Sequence, residues 1–453
     1  MVNIVANTLK SNVQVLAVNQ ALKYIEGNPE ENLPKLMQMI DRFFPEDWYK
    51  VQRAAVRDAI DTKNNWYQLI LKLYDLDSGV RKAFFQNFLL NASLLGGLTR
   101  EDARTQEGCN VPWAILLDPT SACNLHCTGC WAAEYGNQLN LSVETIDSII
   151  RQGKKLGTYM YIYTGGEPMV RKKDLIRICE MHPDCEFLAF TNGTLIDEAF
   201  CQEMLRVKNF VPAISLEGFE EANDSRRGSG VYQKVNRAMD LLKTYKLPFG
   251  LSVCYTSNNY ADISSEKFFD YIIDKGALFV WLFHYMPVGN DAATALLPSP
   301  EQRKLVCERI REFRKTKSIF SMDFQNDAQY VGGCIAGGRY YLHINARGDV
   351  EPCVFIHYSN CNIHDTTLLD ALKSPIFMEY HRKQPFNENM FQPCPMLENP
   401  ECLPEMVKET GAVSTDYQSP ESAEHLVSKT IPYAENWSGT AQELWKENQP
   451  AHK

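Results

Sequence analysis

From residue 111 to residue 318, short apolar runs typical of strands alternate with helix-like stretches of ten or more residues. The alternation occurs six times. The six predicted strands cover 113–117, 159–163, 187–190, 211–216, 249–255 and 279–285. The helices that follow them are predicted at 142–156, 172–181, 197–207, 231–245, 265–274 and 299–315. Alternating β and α units imply a parallel sheet with right-handed crossovers.

Six β/α units predict an α/β fold with a partial (β/α)6 TIM-like barrel, because a closed barrel of this type has eight units. A flat, doubly wound sheet has the same alternation, and periodicity alone leaves it open as the alternative. In both architectures the binding sites lie at the carboxyl ends of the strands. Residues that follow the predicted strands are therefore the first candidates for a functional site.

The segments on either side of this array have other patterns. Before residue 109, apolar residues recur near a 3.6-residue period at 33–44, 47–60 and 66–76, which predicts helices. After about residue 319 the chain is rich in cysteine and carries a hairpin signal at 346–349. We predict four parts: a helical domain at 1–108, the barrel core at 109–318, a small cysteine-rich α+β extension at 319–410, and a surface tail at 411–453.

The stretch at 80–98 combines basic residues, Arg81 and Lys82, with a run of phenylalanines and leucines. Two interpretations stay open for it. One is an amphipathic helix that touches a lipid surface, and the other is a helix docked on the next domain.

Composition narrows the function classes. Lysine plus arginine gives 46 and aspartate plus glutamate gives 56, a net charge of −10 that argues against general nucleic-acid binding. No stretch approaches the roughly 18–20 apolar residues that a membrane-spanning helix needs. Residues 1–20 lack the pattern of a signal peptide, so we expect a cytoplasmic protein.

Three of the fourteen cysteines lie within eight residues: Cys123, Cys127 and Cys130. Clustered cysteines in a cytoplasmic protein indicate metal binding or redox chemistry more often than disulfides. The loop follows the first predicted strand. Three thiolates on one short loop can occupy three corners of an iron–sulfur cube and leave one iron free for another ligand. A zinc site is the alternative, although zinc more often takes two ligands from one loop and two from elsewhere.

This CxxxCxxC loop after the first strand of a β/α array resembles the radical S-adenosylmethionine (radical SAM) superfamily. The sequence Gly165-Gly166-Glu167-Pro168 at the end of the second predicted strand resembles the GGEP motif of the same family. The resemblance implies that Cys123, Cys127 and Cys130 hold a [4Fe–4S] cluster. It also implies that the open iron binds the methionine moiety of S-adenosylmethionine, whose one-electron cleavage yields a 5′-deoxyadenosyl radical. Where the family usually has an aromatic residue before the third cysteine, this chain has Gly129, with Trp131 after the cysteine.

The resemblance also implies that polar residues at the ends of the strands contact S-adenosylmethionine. The predicted contacts, besides Gly165, Gly166, Glu167 and Pro168, are Thr191, Asn192, Ser215, Glu217 and Arg227. One arginine of the Arg226-Arg227 pair is expected to meet the ligand's carboxylate, and a solvated charge cluster is the alternative for that pair. Ser252, His284 and Tyr285 are further candidates for the cavity wall.

A second group of cysteines follows. The spacing of Cys334, Gly348 and Cys353 resembles the opening of the SPASM or twitch extension of radical SAM enzymes. That resemblance implies one auxiliary [4Fe–4S] cluster. Its predicted ligands are Cys334, Cys353, Cys394 and Cys402, with Cys361 as the substitute. A zinc site or plain buried thiols stay open as alternatives.

Taken together, the resemblance implies a radical SAM enzyme, of an oxidoreductase or transferase class that the sequence leaves open. Its 5′-deoxyadenosyl radical would remove hydrogen from a substrate. A peptide or protein substrate is the first hypothesis, because SPASM-like enzymes most often modify peptides. A lipid or other apolar substrate is the second, and a non-catalytic iron–sulfur protein for electron transfer or sensing is the third. The expected partner is a low-potential electron donor such as ferredoxin or flavodoxin, and contact with a membrane surface stays open.

Overall fold

The structure, a computed structural model, describes residues 28–43 and 50–448. The segment 1–20, on which the signal-peptide interpretation rests, lies outside the described residues. The same holds for residue 44 and residues 47–49, at the ends of two predicted helices. Among the helices that the structure describes, none is long and apolar enough to cross a membrane.

The chain begins with helices, as predicted. They are α1 (Pro29–Phe43), α2 (Lys50–Thr62), α3 (Asn65–Tyr74), α4 (Ser78–Phe84), a π-helical segment (Phe85–Leu95) and α5 (Gly96–Glu107). The first three share a small apolar cluster of their own around Leu33, Ile60 and Tyr67. From Val80 onward the buried residues belong to the main core of the molecule.

The π-helical segment decides between the two interpretations of residues 80–98. The Asn87 side chain is buried and donates hydrogen bonds to the backbone oxygens of Pro183 and Cys185, at 3.1 and 3.0 Å. The Phe88 ring meets the Trp113 ring edge-on, with centroids 5.7 Å apart. The segment is therefore docked on the barrel.

A nine-stranded sheet forms the centre of the molecule. Its strands are β1 (Ala114–Leu117), β2 (Met160–Tyr163), β3 (Glu186–Thr191), β4 (Phe210–Ser215), β5 (Gly250–Tyr255), β6 (Phe279–His284), β7 (Phe320–Asp323), β8 (Tyr341–Ile344) and β9 (Val350–Glu351). The spatial order is β7-β6-β5-β4-β3-β2-β1-β8-β9, with every pair parallel except β8–β9. The short strands β10 (Tyr358–Ser359) and β11 (Val413–Ser414) form a separate antiparallel pair.

Helices cover the sheet, and the six predicted β/α units are all present. The helices after β1 are α6 (Val143–Lys155), α7 (Lys172–Met181), α8 (Glu198–Val207), α9 (Glu220–Arg227), α10 (Val231–Thr244), α11 (Tyr260–Ile263), α12 (Glu266–Lys275), α13 (Pro300–Thr316), α14 (Ala328–Val331), α15 (Leu368–Leu372), α16 (Pro375–Lys383), α17 (Cys402–Thr410), α18 (Ala423–Ser428) and α19 (Ile431–Asn448). The partial TIM-like barrel is confirmed.

The parallel sheet is wider than the six predicted strands. Strand β7 follows α13 and pairs with β6, and β8 pairs with β1 at the other edge. Two of the four residues of β7, Ser321 and Asp323, are polar, so the strand lacks a continuous apolar run. The pairing of β8 with β1 joins segments more than 200 residues apart, which no local pattern reveals.

The C-terminal region differs from the predicted surface tail. Helix α19 buries Trp437, Ala441 and Leu444 along one face. The Trp437 ring stacks on the guanidinium of Arg303, 4.1 Å from its centroid, and Arg303 forms a fully buried ion pair with Glu398 at 2.7 Å. The polar composition of this region reflects the outer face of a packed helix.

Candidate active site

The three clustered cysteines lie on the loop between β1 and α6, at the carboxyl ends of the parallel strands. Cys123, Cys127 and Cys130 all line one cavity of about 210 Å³. The Cys123 residue is exposed, and the other two are partly buried. The loop therefore presents its thiols to an enclosed space rather than to the core of the protein.

The Gly165-Gly166 turn after β2 supports this loop through the backbone. The Gly166 N–H donates to the Thr120 oxygen at 3.1 Å, and the Glu167 N–H donates to the Ala122 oxygen at 2.8 Å. A Cβ on Gly166 would lie 2.2 Å from the Ala122 oxygen, so only glycine permits the approach. The turn thus fixes the start of the cysteine loop.

The carboxylate of Glu167 is buried and accepts three hydrogen bonds from the protein. One oxygen accepts from the Thr191 hydroxyl at 2.6 Å and from the Met169 N–H at 2.9 Å, and the other accepts from the Asn192 N–H at 2.7 Å. Burial raises the pKa of Glu167, while these hydrogen bonds favour its charged form. Glu167 therefore ties the end of β2 to the end of β3, and it also lines the cavity.

Asn192 extends this support to the cysteine loop. Its side-chain amide donates to the Asn124 side-chain oxygen at 2.8 Å. Asn192 and Thr191 both line the cavity, whereas Pro168 is buried beside it and begins a 3-10 turn. Of the predicted ligand contacts in this region, Gly165, Gly166, Glu167, Thr191 and Asn192 are thus brought together.

A buried ion-pair group lies beneath the cysteine loop. Oε1 of Glu217 accepts from Arg226 Nη1 at 2.5 Å and from Arg227 Nε and Nη2 at 2.8 and 2.5 Å. Oε2 accepts from the Cys254 N–H at 3.1 Å. Burial alone would raise the pKa of Glu217, but the charges of Arg226 and Arg227 outweigh it and hold the pKa below its ordinary value. These arginines are paired and largely buried, not solvated.

Glu217 and Arg227 have different positions with respect to the cavity. Glu217 is fully buried behind the wall, whereas Arg227 forms part of the wall together with Ser215. Arg227 Nη1 lies 3.9 Å from the Cys127 sulfur, and Arg226 Nε donates to the Thr128 oxygen at 3.2 Å. The arginines therefore connect the end of β4 to the cysteine loop.

The surroundings of Cys123 and Cys127 raise the pKa of both thiols and favour their protonated form without metal. Loss of hydration around its sulfur raises the pKa of Cys123 to about 11, although the residue is exposed overall. Burial also raises the pKa of Cys127, and the charge of Arg227 partly opposes that effect. Because metal binds the thiolate, loading a cluster must release protons from this loop.

The spacing of the thiols bears on which metal group fits them. Among the described ranges 28–43 and 50–448, no three cysteine, histidine, aspartate or glutamate side chains are placed to share a single metal ion. In an iron–sulfur cube each thiolate binds a different iron, so the three sulfurs surround a larger body than one ion. Three thiols on the wall of one cavity fit such a cube.

The second set of cysteines is brought together in part. Cys334, Cys353 and Cys394 line a cavity of about 620 Å³ that shares part of its wall with the first. Burial raises the pKa of Cys334 to about 11 and that of Cys353 to about 12. Cys402, at the start of α17, and Cys361, beside β10, do not line this cavity.

Strand alternation gives the first cavity two unlike walls. The polar wall consists of Ser215, Arg227, Ser252 and Cys254. The aromatic wall consists of Phe190, Trp281, Phe283 and Phe324. The rings of the aromatic wall contact one another, with centroids 5.3 to 6.4 Å apart. Neither Cys254 nor the aromatic wall was assigned a role from sequence, although the period-2 pattern of β5 and β6 would have placed them on the inner face.

The two neighbouring candidates at the end of β6 have different surroundings. The His284 ring packs between Tyr255 and Tyr433, with centroids 5.3 and 5.0 Å away, and His284 also lines the first cavity as predicted. The Tyr285 ring covers Gly129, where a Cβ would lie 2.7 Å from Tyr285 Cε2. An aromatic ring from the residue after β6 thus covers the position before the third cysteine, where the loop itself has Gly129.

A buried polar network lies next to the cysteine loop on its other side. The His343 ring bonds Asp118 through Nε2 at 2.9 Å and Glu351 through Nδ1 at 2.6 Å. Burial opposes the charged imidazolium, but the two carboxylates outweigh it and raise the pKa of His343 to about 10. The Trp131 ring, directly after Cys130, meets the His343 ring edge-on at 5.7 Å. The network therefore ties β8 and β9 to the loop.

Comparison with known proteins gives a family match for part of the chain. A family model described as "Radical SAM superfamily" matches residues 117–266. Enzymes of that superfamily use a [4Fe–4S] cluster and S-adenosylmethionine.

Similar proteins include an AdoMet-dependent heme synthase of Oleidesulfovibrio alaskensis, 25% identical over 322 residues that cover 62% of this chain and 80% of the relative. A PqqA peptide cyclase of Granulibacter bethesdensis is 24% identical over 253 residues, or 53% of this chain and 67% of the relative. The structure of Streptococcus suis SuiB bound to S-adenosylmethionine aligns with a TM-score of 0.56 at 18% identity, covering 72% of this chain and 80% of SuiB. The alignment with SuiB shows that this chain shares its fold.

Proposed function

The chain carries a radical SAM domain at residues 117–266, and on that premise we propose that it cleaves S-adenosylmethionine at a [4Fe–4S] cluster held by Cys123, Cys127 and Cys130. When bound, the reduced cluster supplies one electron that splits S-adenosylmethionine into methionine and a 5′-deoxyadenosyl radical, which takes a hydrogen atom from the substrate. The observation that supports this proposal is the convergence of three loop thiols, the Gly165-Gly166 turn and Arg227 on one cavity.

The polar wall binds the charged part of S-adenosylmethionine in this proposal. Glu217 holds Nε and Nη2 of Arg227, which leaves Nη1 directed toward the cysteine loop. A guanidinium fixed in this way is oriented before the ligand arrives, and it pairs with the ligand's carboxylate. Ser215 and Asn192 supply hydrogen-bonding groups for the remaining polar atoms.

The aromatic wall keeps water away from the radical. Phe190, Trp281 and Phe283 present carbon surface to the same cavity. An apolar wall that excludes water prevents side reactions of the radical with groups other than the substrate. We assign the adenosyl group and the reacting part of the substrate to this side of the cavity.

We further propose one auxiliary [4Fe–4S] cluster on Cys334, Cys353 and Cys394, with Cys402 as the predicted fourth ligand. Three thiols on one buried cavity support the proposal. The reducing electrons are proposed to come from a ferredoxin or flavodoxin. The boundaries 108/109, 318/319 and 410/411 also stay predictions, and the sheet connects the parts on both sides of 318 through β7 and β8.

Two substrate classes have support of different kinds. A relative is named as a peptide cyclase, which favours a peptide or protein substrate. The aromatic wall and the largely apolar second cavity favour an apolar substrate. A non-catalytic iron–sulfur protein would have no use for the polar wall.

The test is anaerobic reconstitution with iron and sulfide, followed by reduction and measurement of bound S-adenosylmethionine and of 5′-deoxyadenosine. We expect Cys127→Ala to lose S-adenosylmethionine cleavage while part of the iron remains. Cys201→Ala, a buried helix thiol outside both cavities, is the matched control and should behave like the unaltered protein. Failure of the reconstituted protein to bind S-adenosylmethionine or to form 5′-deoxyadenosine would overturn the proposal.

A further inference from the structure

The second cavity runs along the open edge of the sheet beside β7 and reaches the proposed S-adenosylmethionine cavity. We infer that it is a lateral channel that binds an extended apolar substrate, such as an acyl or isoprenoid chain, and presents one of its C–H bonds to the radical. This inference rests on the proposed function and names its substrate class.

The face of β7 that borders the channel is apolar along its whole length. Phe320, Met322 and Phe324 alternate with the polar residues Ser321 and Asp323, so the three apolar side chains share one face. The four steps from residue 320 to residue 324 span about 13 Å at roughly 3.3 Å per residue. The apolar face of this segment is therefore long enough to lie along several carbons of a chain-like ligand.

The outer end of the channel is an aromatic mouth, which we define as Trp66, Phe320 and Tyr330. Phe320 is 45% exposed and Tyr330 is 63% exposed, although both line the cavity. The Trp66 ring lies 6.0 Å from the Phe320 ring and joins helix α3 to the mouth. Exposed rings at the rim of an apolar cavity mark an interaction site rather than a packed core.

The inner end of the channel meets the cavity with the cysteine loop. Trp281, Phe324 and Tyr341 line both cavities. The Phe324 ring stands at the junction, 5.3 Å from the Phe283 ring and 6.1 Å from the Tyr341 ring, measured between centroids. A ligand that fills the channel therefore ends at the aromatic wall of the proposed reaction site.

The lining favours an apolar chain over a peptide. A peptide carries one N–H and one C=O per residue, and both need partners when they leave water. The lining also carries polar residues, namely Arg314, Ser321, Asp323, Gln325 and Asp327. Arg314 and Asp327 form an ion pair with each other at 2.5 Å, and the amide nitrogen of Gln325 lies 3.8 Å from the Met286 sulfur. The thiols of Cys334, Cys353 and Cys394 belong to the C-terminal side of the cavity and are assigned to the auxiliary cluster.

The experiment uses the reconstituted full chain and a fluorescent sixteen-carbon fatty acid as the probe. We expect the unaltered protein to bind the probe and Phe320→Glu/Tyr330→Glu to weaken its binding at least tenfold. Binding of S-adenosylmethionine and slow formation of 5′-deoxyadenosine without substrate should stay unchanged in that variant. Leu305→Glu, at a residue 39% exposed on α13 and outside the channel, is the matched control and should leave probe binding unchanged.

A second variant examines the channel without altering its mouth. Met322→Trp should narrow the channel at its middle, so unlabelled fatty acids of eight carbons should compete with the probe better than those of sixteen carbons. In the unaltered protein the order should be reversed.

Three results would overturn the inference while leaving the proposed function intact. They are normal cleavage of S-adenosylmethionine with no probe binding, displacement of the probe by a hydrophobic peptide as effectively as by a fatty acid, and conversion of a dimer to a monomer by the mouth variant. The last result would identify the mouth as a subunit interface. Loss of 5′-deoxyadenosine formation in every protein would instead count against the proposed function.

Discussion

The polar wall and the aromatic wall of the first cavity are built by the same backbone pattern with different side chains. On β4 and β5 the inward positions carry Ser215, Ser252 and Cys254, and on β6 they carry Trp281 and Phe283. The first side is fixed by ion pairs and hydrogen bonds, and the second by ring contacts. In the proposed function, one barrel thus separates the binding of a charged cosubstrate from the exclusion of water, because each strand contributes its own side chains to the interior.

The largest loss of stability is expected when the buried charge of Glu217, behind the polar wall, is removed. In Glu217→Gln the guanidinium groups of Arg226 and Arg227 lose the carboxylate that pairs with both, and removing one member of a buried ion pair costs about 3–5 kcal/mol. We expect that loss in the free energy of unfolding, together with weaker binding of S-adenosylmethionine. Denaturant unfolding and equilibrium dialysis under anaerobic conditions measure the two effects.

The matched control is Glu203→Gln. Glu203 pairs with Arg206 on the surface, where ion pairs contribute about 0–1 kcal/mol. Equal destabilisation by the two substitutions would contradict the importance of the buried group.

The charged network beside the cysteine loop should make stability depend on pH, whereas the aromatic wall should not. The pKa of His343 is raised from 6.5 to about 10 in the folded chain. Protonated His343 therefore contributes its full stabilisation when the pH is below the pKa of the unfolded chain. That stabilisation is lost progressively as the pH rises from about 6.5 to about 10. We expect the free energy of unfolding to fall across that window by up to about 1.4 kcal/mol per pH unit. In His343→Gln the same titration should be much flatter, and an unchanged slope would disprove the assignment.

The smallest effect on stability is expected from the aromatic wall. Phe283→Leu keeps the side chain apolar and close in size, so it should cost less than about 1.5 kcal/mol. Binding of S-adenosylmethionine should be unchanged. Because the ring borders the space assigned to the substrate, the ratio of product to 5′-deoxyadenosine should fall once a substrate is known. A loss of S-adenosylmethionine binding in this variant would show that the two walls are not separate in function.

The sequence predicted those parts of the fold that follow from the local periodicity of apolar residues. The six β/α units from 111 to 318 follow from alternating runs, and the loop of Cys123, Cys127 and Cys130 follows from spacing. The hairpin signal at 346–349 marked β8 and β9, but the pairing of β8 with β1 could not be predicted, because the two strands are far apart in the chain. The burial of Trp437 escaped prediction because the polar outer face of α19 dominates its composition.

The site residues, too, were predicted only in part. Their location at strand ends could be predicted, but their partners could not. Glu217 was interpreted as a ligand contact, and the structure places it behind Arg227 as the group that orients that arginine. Cys402 was grouped with Cys334, Cys353 and Cys394 through the resemblance to the SPASM or twitch extension, and the structure places it at the start of α17, off their cavity wall.

The parallel pairing of β1 with both β2 and β8 limits how the chain can be truncated or recombined. The strand that leads into the cysteine loop is an inner strand only because the C-terminal segment covers its second edge. Deleting everything after residue 318 would expose that edge to other chains, since an unpaired strand invites intermolecular pairing. The C-terminal segment is thus not a detachable module, and a chimera that exchanges it must carry a matching β8.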